Sequence, residues 1–547
     1  MRQKIKKLFK TKWELFILII FFSWLFFDLL SSHTLLNING VLFSSGSSWG
    51  DLPFHLTLIN NFKDRGLITT LKEFPLYYGE KTRYPFVFDY LSALLLHCGL
   101  NLRWAIILPS FIALVGLVIF LYYMALKITK KRLVAFLTPF FFVFNGATIS
   151  LYYFWQDFIK SKLSFFQFLN HLDVQYTHLS KYGIEFSNLI ADFLLPQRTI
   201  VLGLIFSCAA LFFLWNYWES KKSKYLLKAG TIIGLMPFIH THLFLALIIF
   251  CFFLFIIQLI YYKEFKIKDW LKWGTIVFVL AIGPVLWLFP FHQKNFFRVQ
   301  LGWMANGKFF WWFWLKNLGF YLIFLISGLA LIKKFDHWQK IISFYLPAVF
   351  IWILGNVFIF QPWEFDNMKI FILWFLLSVI IMGLYFSYLV EKKSFICKII
   401  ALIFLLITIL PGFLATCREI TIKYGLYQPA DVELSNYLRQ NTRPNDLFLT
   451  TDKHNNPVSS LAGRQIVMGY TGWLWSHGID YKNRYNDIIE IYKGSDKARQ
   501  LISKYAPKYI LVEKQPSSQW LINYDYFKNY FRAVFENPLY IVYKIEN

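Results

Sequence analysis

Long apolar runs alternate with short basic loops and longer polar stretches along most of the chain. Runs of about 18 or more apolar residues are long enough to cross a hydrocarbon core of about 30 Å. They predict eleven membrane spans, at 13–31, 103–126, 133–150, 197–217, 226–241, 243–262, 271–290, 309–332, 341–360, 368–390 and 397–416. A further stretch, 85–99, is short for a span and contains Pro85, Asp89 and His97. After residue 416 the pattern changes. Asn445 to Thr451, Gln465 to Met468, Tyr509 to Glu513 and Tyr540 to Ile545 read as strands, and Asp431 to Gln440, Tyr485 to Lys493 and Asp496 to Lys504 as helices. The expectation is a polytopic α-helical membrane protein, 1–416, followed by a soluble α/β domain, 417–547.

Composition supports that class. Of the 547 residues 57% are hydrophobic, 21% aromatic and only 16% charged, where a soluble protein carries about 25% charged residues. The net charge of +25 does not point to nucleic acid, because the cations sit in short loops between apolar runs: Lys4 to Lys12, Lys127 to Arg132, Lys221 to Lys228, Lys263 to Lys272, Lys333-Lys334 and Lys392-Lys393. That is the positive-inside pattern of cytoplasmic loops. With 85–99 read as a re-entrant or interfacial helix, every one of these loops falls on the cytoplasmic side with the N-terminus. The first outer loop (32–102), the second (151–196) and the tail then share the outer face. Phe27-Asp28-Leu29-Leu30 after the first run is no small-residue cleavage site, so that run reads as an uncleaved anchor. The five cysteines form no disulfide framework and no zinc spacing.

The chemistry is concentrated in those outer segments. Asp51, in the polar stretch Ser44-Ser45-Gly46-Ser47-Ser48-Trp49-Gly50-Asp51, follows the first run closely. A carboxylate there can take a proton from an attacking hydroxyl or amide; Asp51-Leu52-Pro53 is equally a sound helix N-terminus. The same loop offers His55 and Arg83. The second loop carries Asp157, His171, Asp173, His178, Glu185 and Asp192. Such groups can hold a divalent metal ion, although no ligand spacing is diagnostic. Arg198 opens a span at headgroup level and can fork onto a phosphate or simply reach for water. His240 and His242 at a tight turn need a phosphate, a metal, a carboxylate or partners within the bundle. Lys369, after Asp366, has the same choice between a phosphate and its neighbour. In the tail, Gly472-Trp473-Leu474-Trp475-Ser476-His477-Gly478 suits either membrane docking or acceptor recognition, with core packing the plain alternative.

In architecture the chain resembles the C-type glycosyltransferase (GT-C) superfamily, multi-span enzymes that take a sugar from a polyprenyl-phosphate carrier. Trp49-Gly50-Asp51 matches the family's first-loop acid, and Arg83-Tyr84-Pro85-Phe86 to Gly99 its loop helix before the next span. The resemblance implies Asp51 as general base. It implies Arg198, His240, His242 and Lys369 around the carrier phosphate. His55, Arg83, Asp366, Trp473, Trp475 and His477 complete the expected substrate-binding set. Gly472 to Gly478 lacks the acid of the oligosaccharyltransferase signature Trp-Trp-Asp-Tyr-Gly, so peptide-sequon reading does not carry over. Leu52 after Asp51 departs from the paired acids of protein O-mannosyltransferases.

The expected function is sugar transfer from a polyprenyl-phosphate-linked donor to a glycan, lipid or protein acceptor, at a membrane-lipid boundary and without nucleic acid. Aromatic surfaces including Trp303, Trp311 and Trp363 would guide the prenyl chain or stack on sugar. A lipid or polysaccharide transporter or flippase is the competing class. It would call for inverted repeats or charged residues at mid-span, and the sequence displays neither. A phosphoethanolamine or acyl transferase would need a separate nucleophile or a dense metal site in the tail.

Overall fold

The computed structural model describes residues 13–261, 266–289, 297–392 and 394–546. The basic run Lys4 to Lys12, Lys263 and residues 291–296 of an expected outer segment lie outside them. The chain is a polytopic helical membrane protein with a mixed α/β region at its C-terminal end. Eight described helices are long and apolar enough to cross a membrane: Trp13–His33, Leu102–Thr129, Arg198–Ser220, Thr241–Tyr261, Ile267–Leu288, Trp338–Val357, Glu364–Glu391 and Phe395–Thr421. A ninth arises if Phe310–Leu318 and Phe320–Ala330, bent by 98° at Gly319, count as one span.

Eleven spans were expected, and two of them are short. The run at 133–150 is helical only over Arg132–Val143, 12 residues, a rise of about 18 Å against a hydrocarbon core of about 30 Å. There the helix gives way because Asn145 has other backbone to serve: its amide donates to the carbonyl of Ser187 (2.8 Å) and accepts from the N–H of Leu189 (2.7 Å). The run at 226–241 is helical over Ser223–Leu235, 13 residues, and ends in a 3-10 turn at Met236–Phe238, where Pro237 cannot donate a helical hydrogen bond. Val87–His97, within 85–99, has 11 residues, a rise of about 16 Å; a helix of that length does not cross by itself.

The chain divides into two compact units. The first holds the described residues of 1–31, 110–287 and 295–422. Its axis is Phe371–Glu391, whose apolar stretch is 94% buried, against 22–61% for the other spans. Small residues let helices close on one another: a Cβ on Gly328 would lie 2.5 Å from the carbonyl oxygen of Ile381, and one on Gly412 2.2 Å from the carbonyl carbon of Phe144. At one end of this bundle the segment 127–132 binds three helices through acids. Lys127 and Lys130 pair with Glu219 (2.8 and 3.4 Å), Lys131 with Glu391 (2.8 Å) and Arg132 with Glu14 (3.6 Å). Tyr122 also donates to Glu14, at 3.3 Å.

The strands, in chain order, are β1 (Leu36–Ile38), β2 (Val41–Ser44), β3 (Arg298–Val299), β4 (Phe358–Ile359), β5 (Tyr424–Tyr427), β6 (Leu447–Leu449), β7 (Gln465–Ile466), β8 (Tyr509–Glu513), β9 (Arg532–Glu536) and β10 (Tyr540–Lys544). β3 and β4 form a small ribbon in the first unit. The second unit gathers the described parts of 32–109, 288–294 and 423–547. β1 and β2 make a hairpin through Asn39-Gly40, both at positive φ, the residues a type I′ turn requires. β5 adds to β2. A five-stranded sheet runs β7-β6-β8-β10-β9, with β6 parallel to both β7 and β8 and β10 antiparallel to both its neighbours. Strands β6, β7, β8 and β10 fall where the sequence places them; β1, β2, β5 and β9 were not anticipated.

Loop residues share the core of this sheet. Phe54, Leu58, Ile59 and Phe62 of helix Leu52–Arg65 are buried with Leu434, Phe448, Val458, Ile466, Ile488 and Ile510. Asn60 donates to the carbonyl of Ser460 (2.6 Å), and Arg464 pairs with Asp64 (3.1 Å).

Gly412 gives a direct test of the bundle. Gly412→Ala forces its methyl into backbone that cannot rotate away, and overpacking of this kind costs about 1–3 kcal/mol. A thermal melt in detergent is expected to show a lower Tm for Gly412→Ala, and none for Gly274→Ala, where a Cβ meets nothing within 4 Å. Equal melting of the two variants would contradict the close approach.

Candidate functional site

Each unit carries a polar centre. In the second, β6 lies between β7 and β8, both parallel to it, so the chain leaves β6 toward one side and returns on the other. Ligands of open α/β sheets bind at the carboxyl ends of strands at such a switch in order. The loop leaving β6 there is Thr450 to Asn456. Thr451 donates to Glu513, the last residue of β8. Asp452 accepts from Trp520 Nε1, Gln519 and Thr471 (each 3.2 Å), and so anchors the helix Thr471–Ser476. Burial pushes the carboxyls of Asp452 and Glu513 above their ordinary range. Lys453 lies 3.8 Å from Asp431 and 2.5 Å from the hydroxyl of Tyr540.

His454 reaches from this loop to the stretch before Asp51. Its Nε2 donates to the carbonyl of Gly50 (2.8 Å), which fixes the proton on that nitrogen. Its ring stacks on Trp49, with centroids 4.4 Å apart and planes 22° from parallel. Tyr470 and Trp473 enclose the other sides at 5.2 and 5.1 Å. Nδ1 is buried without a hydrogen-bond partner among the described residues, and burial lowers the pKa of the ring.

Asp51 occupies the N-cap position of helix Leu52–Arg65, yet its side chain makes no capping hydrogen bond. Of the two sequence readings of Asp51, the cap therefore lacks its defining contact. His55, one turn on, is fully buried with its Nδ1 2.8 Å from Asp89 Oδ2. Arg83 pairs with Glu80 at 3.2 Å. Trp473 meets Phe54 edge-on at 5.5 Å, and His477 lies over Phe54 and beside Tyr84 and Phe74 with Nδ1 2.6 Å from the carbonyl of Trp473. Trp475 is exposed. The structure thus brings Trp49, Gly50 and His454 together, draws His55, Trp473 and His477 into packing, and leaves Arg83 in a local pair.

In the first unit the second centre lies at the start of helix Thr241–Tyr261. His242 Nε2 is 2.6 Å from Gln361 Oε1, and the rings of His240 and His242 are 5.8 Å apart. Lys369, almost fully buried, pairs with Asp366 at 2.7 Å and lies within Coulombic range of both imidazoles. Arg198, at the first position of helix Arg198–Ser220, is also buried. Two acids of the second loop, Asp157 and Asp192, are engaged in local structure. Asp157 accepts from Tyr176 (2.9 Å), and Asp192 from Gln175 (2.9 Å) and the N–H of Asn188 (2.7 Å). Among the described residues no group of three or more His, Cys, Asp or Glu could hold a metal ion.

His454 stands in no recognisable motif of the sequence. Its partner Gly50 lies 404 residues away, and no local pattern couples the two. The depressed pKa gives a test with a definite sign. A histidine kept neutral by the fold contributes stability that is present above its unfolded pKa near 6.5 and lost as pH falls through the lower folded value. His454→Gln retains an N–H for Gly50 but cannot titrate. Wild type is expected to lose more thermal stability than His454→Gln between pH 7.5 and 5.5; parallel losses would remove this assignment.

No family model matches the chain, and no curated protein matches its sequence. Solved structures do match its fold. The Archaeoglobus fulgidus oligosaccharyltransferase AglB, in complex with an inhibitory peptide and a dolichol-phosphate, aligns with a TM-score of 0.57 at 12% identity over 92% of this chain and 70% of that one. The same enzyme tethered to an acceptor peptide aligns at 0.56, over 93% and 70%, also at 12% identity. ArnT from Cupriavidus metallidurans, bound to undecaprenyl phosphate, aligns with a TM-score of 0.53 at 8% identity over 96% of this chain and 97% of that one. Over nearly its whole length the chain therefore has the fold of the GT-C membrane glycosyltransferases.

Proposed function

We propose that the protein is a membrane glycosyltransferase that moves a sugar from a polyprenyl-phosphate-linked donor to an acceptor on the outer face of the membrane. The observation that carries this reading is the end-to-end fold likeness to ArnT, whose structure holds undecaprenyl phosphate. The basic loops supply the orientation: cytoplasmic N-terminus, with the C-terminal α/β region extracytoplasmic.

In this reading the acceptor's nucleophilic atom attacks the anomeric carbon of the donor. Its proton passes to the carboxylate of Asp51 as the new bond forms. The bond from the anomeric carbon to the phosphate oxygen breaks, its electron pair stays on that oxygen, and polyprenyl phosphate leaves. Lys369 and Arg198 stabilise the charge that grows on the leaving phosphate. Lys369 is already held by Asp366, so a phosphate would compete for an ammonium that is positioned beforehand. His240 and His242 add hydrogen bonds to the same group.

The test is transfer of radiolabelled sugar from a short polyprenyl-phosphate donor in membranes. Asp51→Asn is expected to reduce transfer by about 10²–10⁴-fold, the usual worth of a general base. Lys369→Met is expected to raise the donor KM and lower kcat together. Full activity in Asp51→Asn would sink the assignment of the base. Absence of both donor binding and transfer in wild type would return the transporter class.

A further inference from the structure

We propose that the acceptor presents a pyranose ring, which stacks on the free face of Trp49 beside Asp51. This inference rests on the glycosyltransferase reading and names the chemical class of its acceptor.

Trp49 is 43% exposed although it is the largest side chain in a stretch whose neighbours Ser44, Ser45 and Ser48 are buried. One face of the indole is covered by the imidazole of His454, nearly parallel at 4.4 Å. The hydrogen bond from His454 to Gly50 locks that backing ring to the same loop, and Tyr470 and Trp473 hold it from behind. The indole is therefore a rigid platform with a single open side. Gly50 adds the second element. A Cβ built there meets nothing within 4 Å, and its φ is outside the left-handed region. The opening is not imposed by backbone conformation; it is room beside the platform. Asp51 follows two residues later in the same stretch, its Cα at most about 7 Å from that of Trp49.

Flat aromatic surface with adjoining space matches the chemistry of a sugar ring. The C–H groups on one face of a pyranose carry partial positive charge and meet the negative face of an indole, while ring hydroxyls point outward. In the transfer reading a hydroxyl of the ring bound at Trp49 is the nucleophile, and Asp51 takes its proton. The polar setting separates this indole from the exposed tryptophans Trp311 and Trp312 on an apolar helix, which suit lipid. A peptide acceptor would need no platform of this kind.

The experiment uses the full-length protein in nanodiscs with a radiolabelled polyprenyl-phosphate sugar. Two acceptor probes are compared: a panel of p-nitrophenyl hexopyranosides, and a serine peptide with glycerol as ring-free alcohols. Wild type is expected to label at least one pyranoside in preference to the ring-free alcohols. Trp49→Ala should raise the pyranoside KM at least tenfold while kcat falls less than threefold. Trp49→Tyr, which keeps a ring over His454, should restore KM to within about threefold. Gly50→Val, which fills the adjoining space, should raise KM as Trp49→Ala does. A pyranoside KM within twofold of wild type in Trp49→Ala overturns the proposal, as does labelling of the ring-free alcohols equal to that of every pyranoside. Donor turnover without pyranoside preference removes this inference alone. No donor turnover in wild type removes the transfer reading and this inference with it.

Discussion

Hydrocarbon offers no hydrogen-bond partner to a stray backbone group, and much of this molecule follows from that. Inside the bilayer only continuous helix satisfies every N–H and C=O, so irregular chain must find partners in protein or leave. Asn145 illustrates the first solution. Its side-chain amide serves both Ser187 and Leu189, and Asn188 returns a bond to the carbonyl of Asn145 at 2.6 Å. A break in one helix and a loop from further along the chain are satisfied together. The same demand leaves polar chemistry where helices begin or end, at Arg198, His240 and Lys369, and keeps the interior of Phe371–Glu391 almost wholly apolar.

Charge does different work at the opposite kind of position. Glu14, Glu219 and Glu391 lie on three separate helices, yet all pair with cations drawn from residues 127–132. Partly exposed pairs of this sort are each worth little, about 0–1 kcal/mol. Their value lies in register: one short basic segment addresses three helices, and any slide of one helix along another would separate a pair. A single basic segment thus indexes three helices.

The sequence made the membrane class, most spans and four of the five strands of the large sheet legible, because each rests on local periodicity. It overstated 133–150 and 226–241, since apolar composition continues past the points where Asn145 and Pro237 stop the helix. It missed the short hairpin of β1 and β2, and β5, whose pairing with β2 joins segments far apart in the chain. Asp51 was legible as a candidate from its polar setting, but its lack of a capping bond was not. His55 was legible as a candidate, but its burial against Asp89 was not. His454 and Trp49 were each present in the sequence as ordinary residues; only the fold makes them one object.

The union of the first loop with the tail has a consequence for how the protein is made. Asn60 bonds to Ser460 across 400 residues, and β2 waits for β5, which follows the final long helix. Until the ribosome has delivered the last span and most of the tail, the helix bearing Phe54, Leu58 and Phe62 has no core to enter. Closing so long a loop is entropically costly and slow, and the uncovered apolar face is a natural target for a chaperone during that interval. The platform beside Asp51 can form only after His454 has been synthesised and docked. A chain released early would therefore hold its helices in the membrane while Trp49 still lacks the imidazole that backs it.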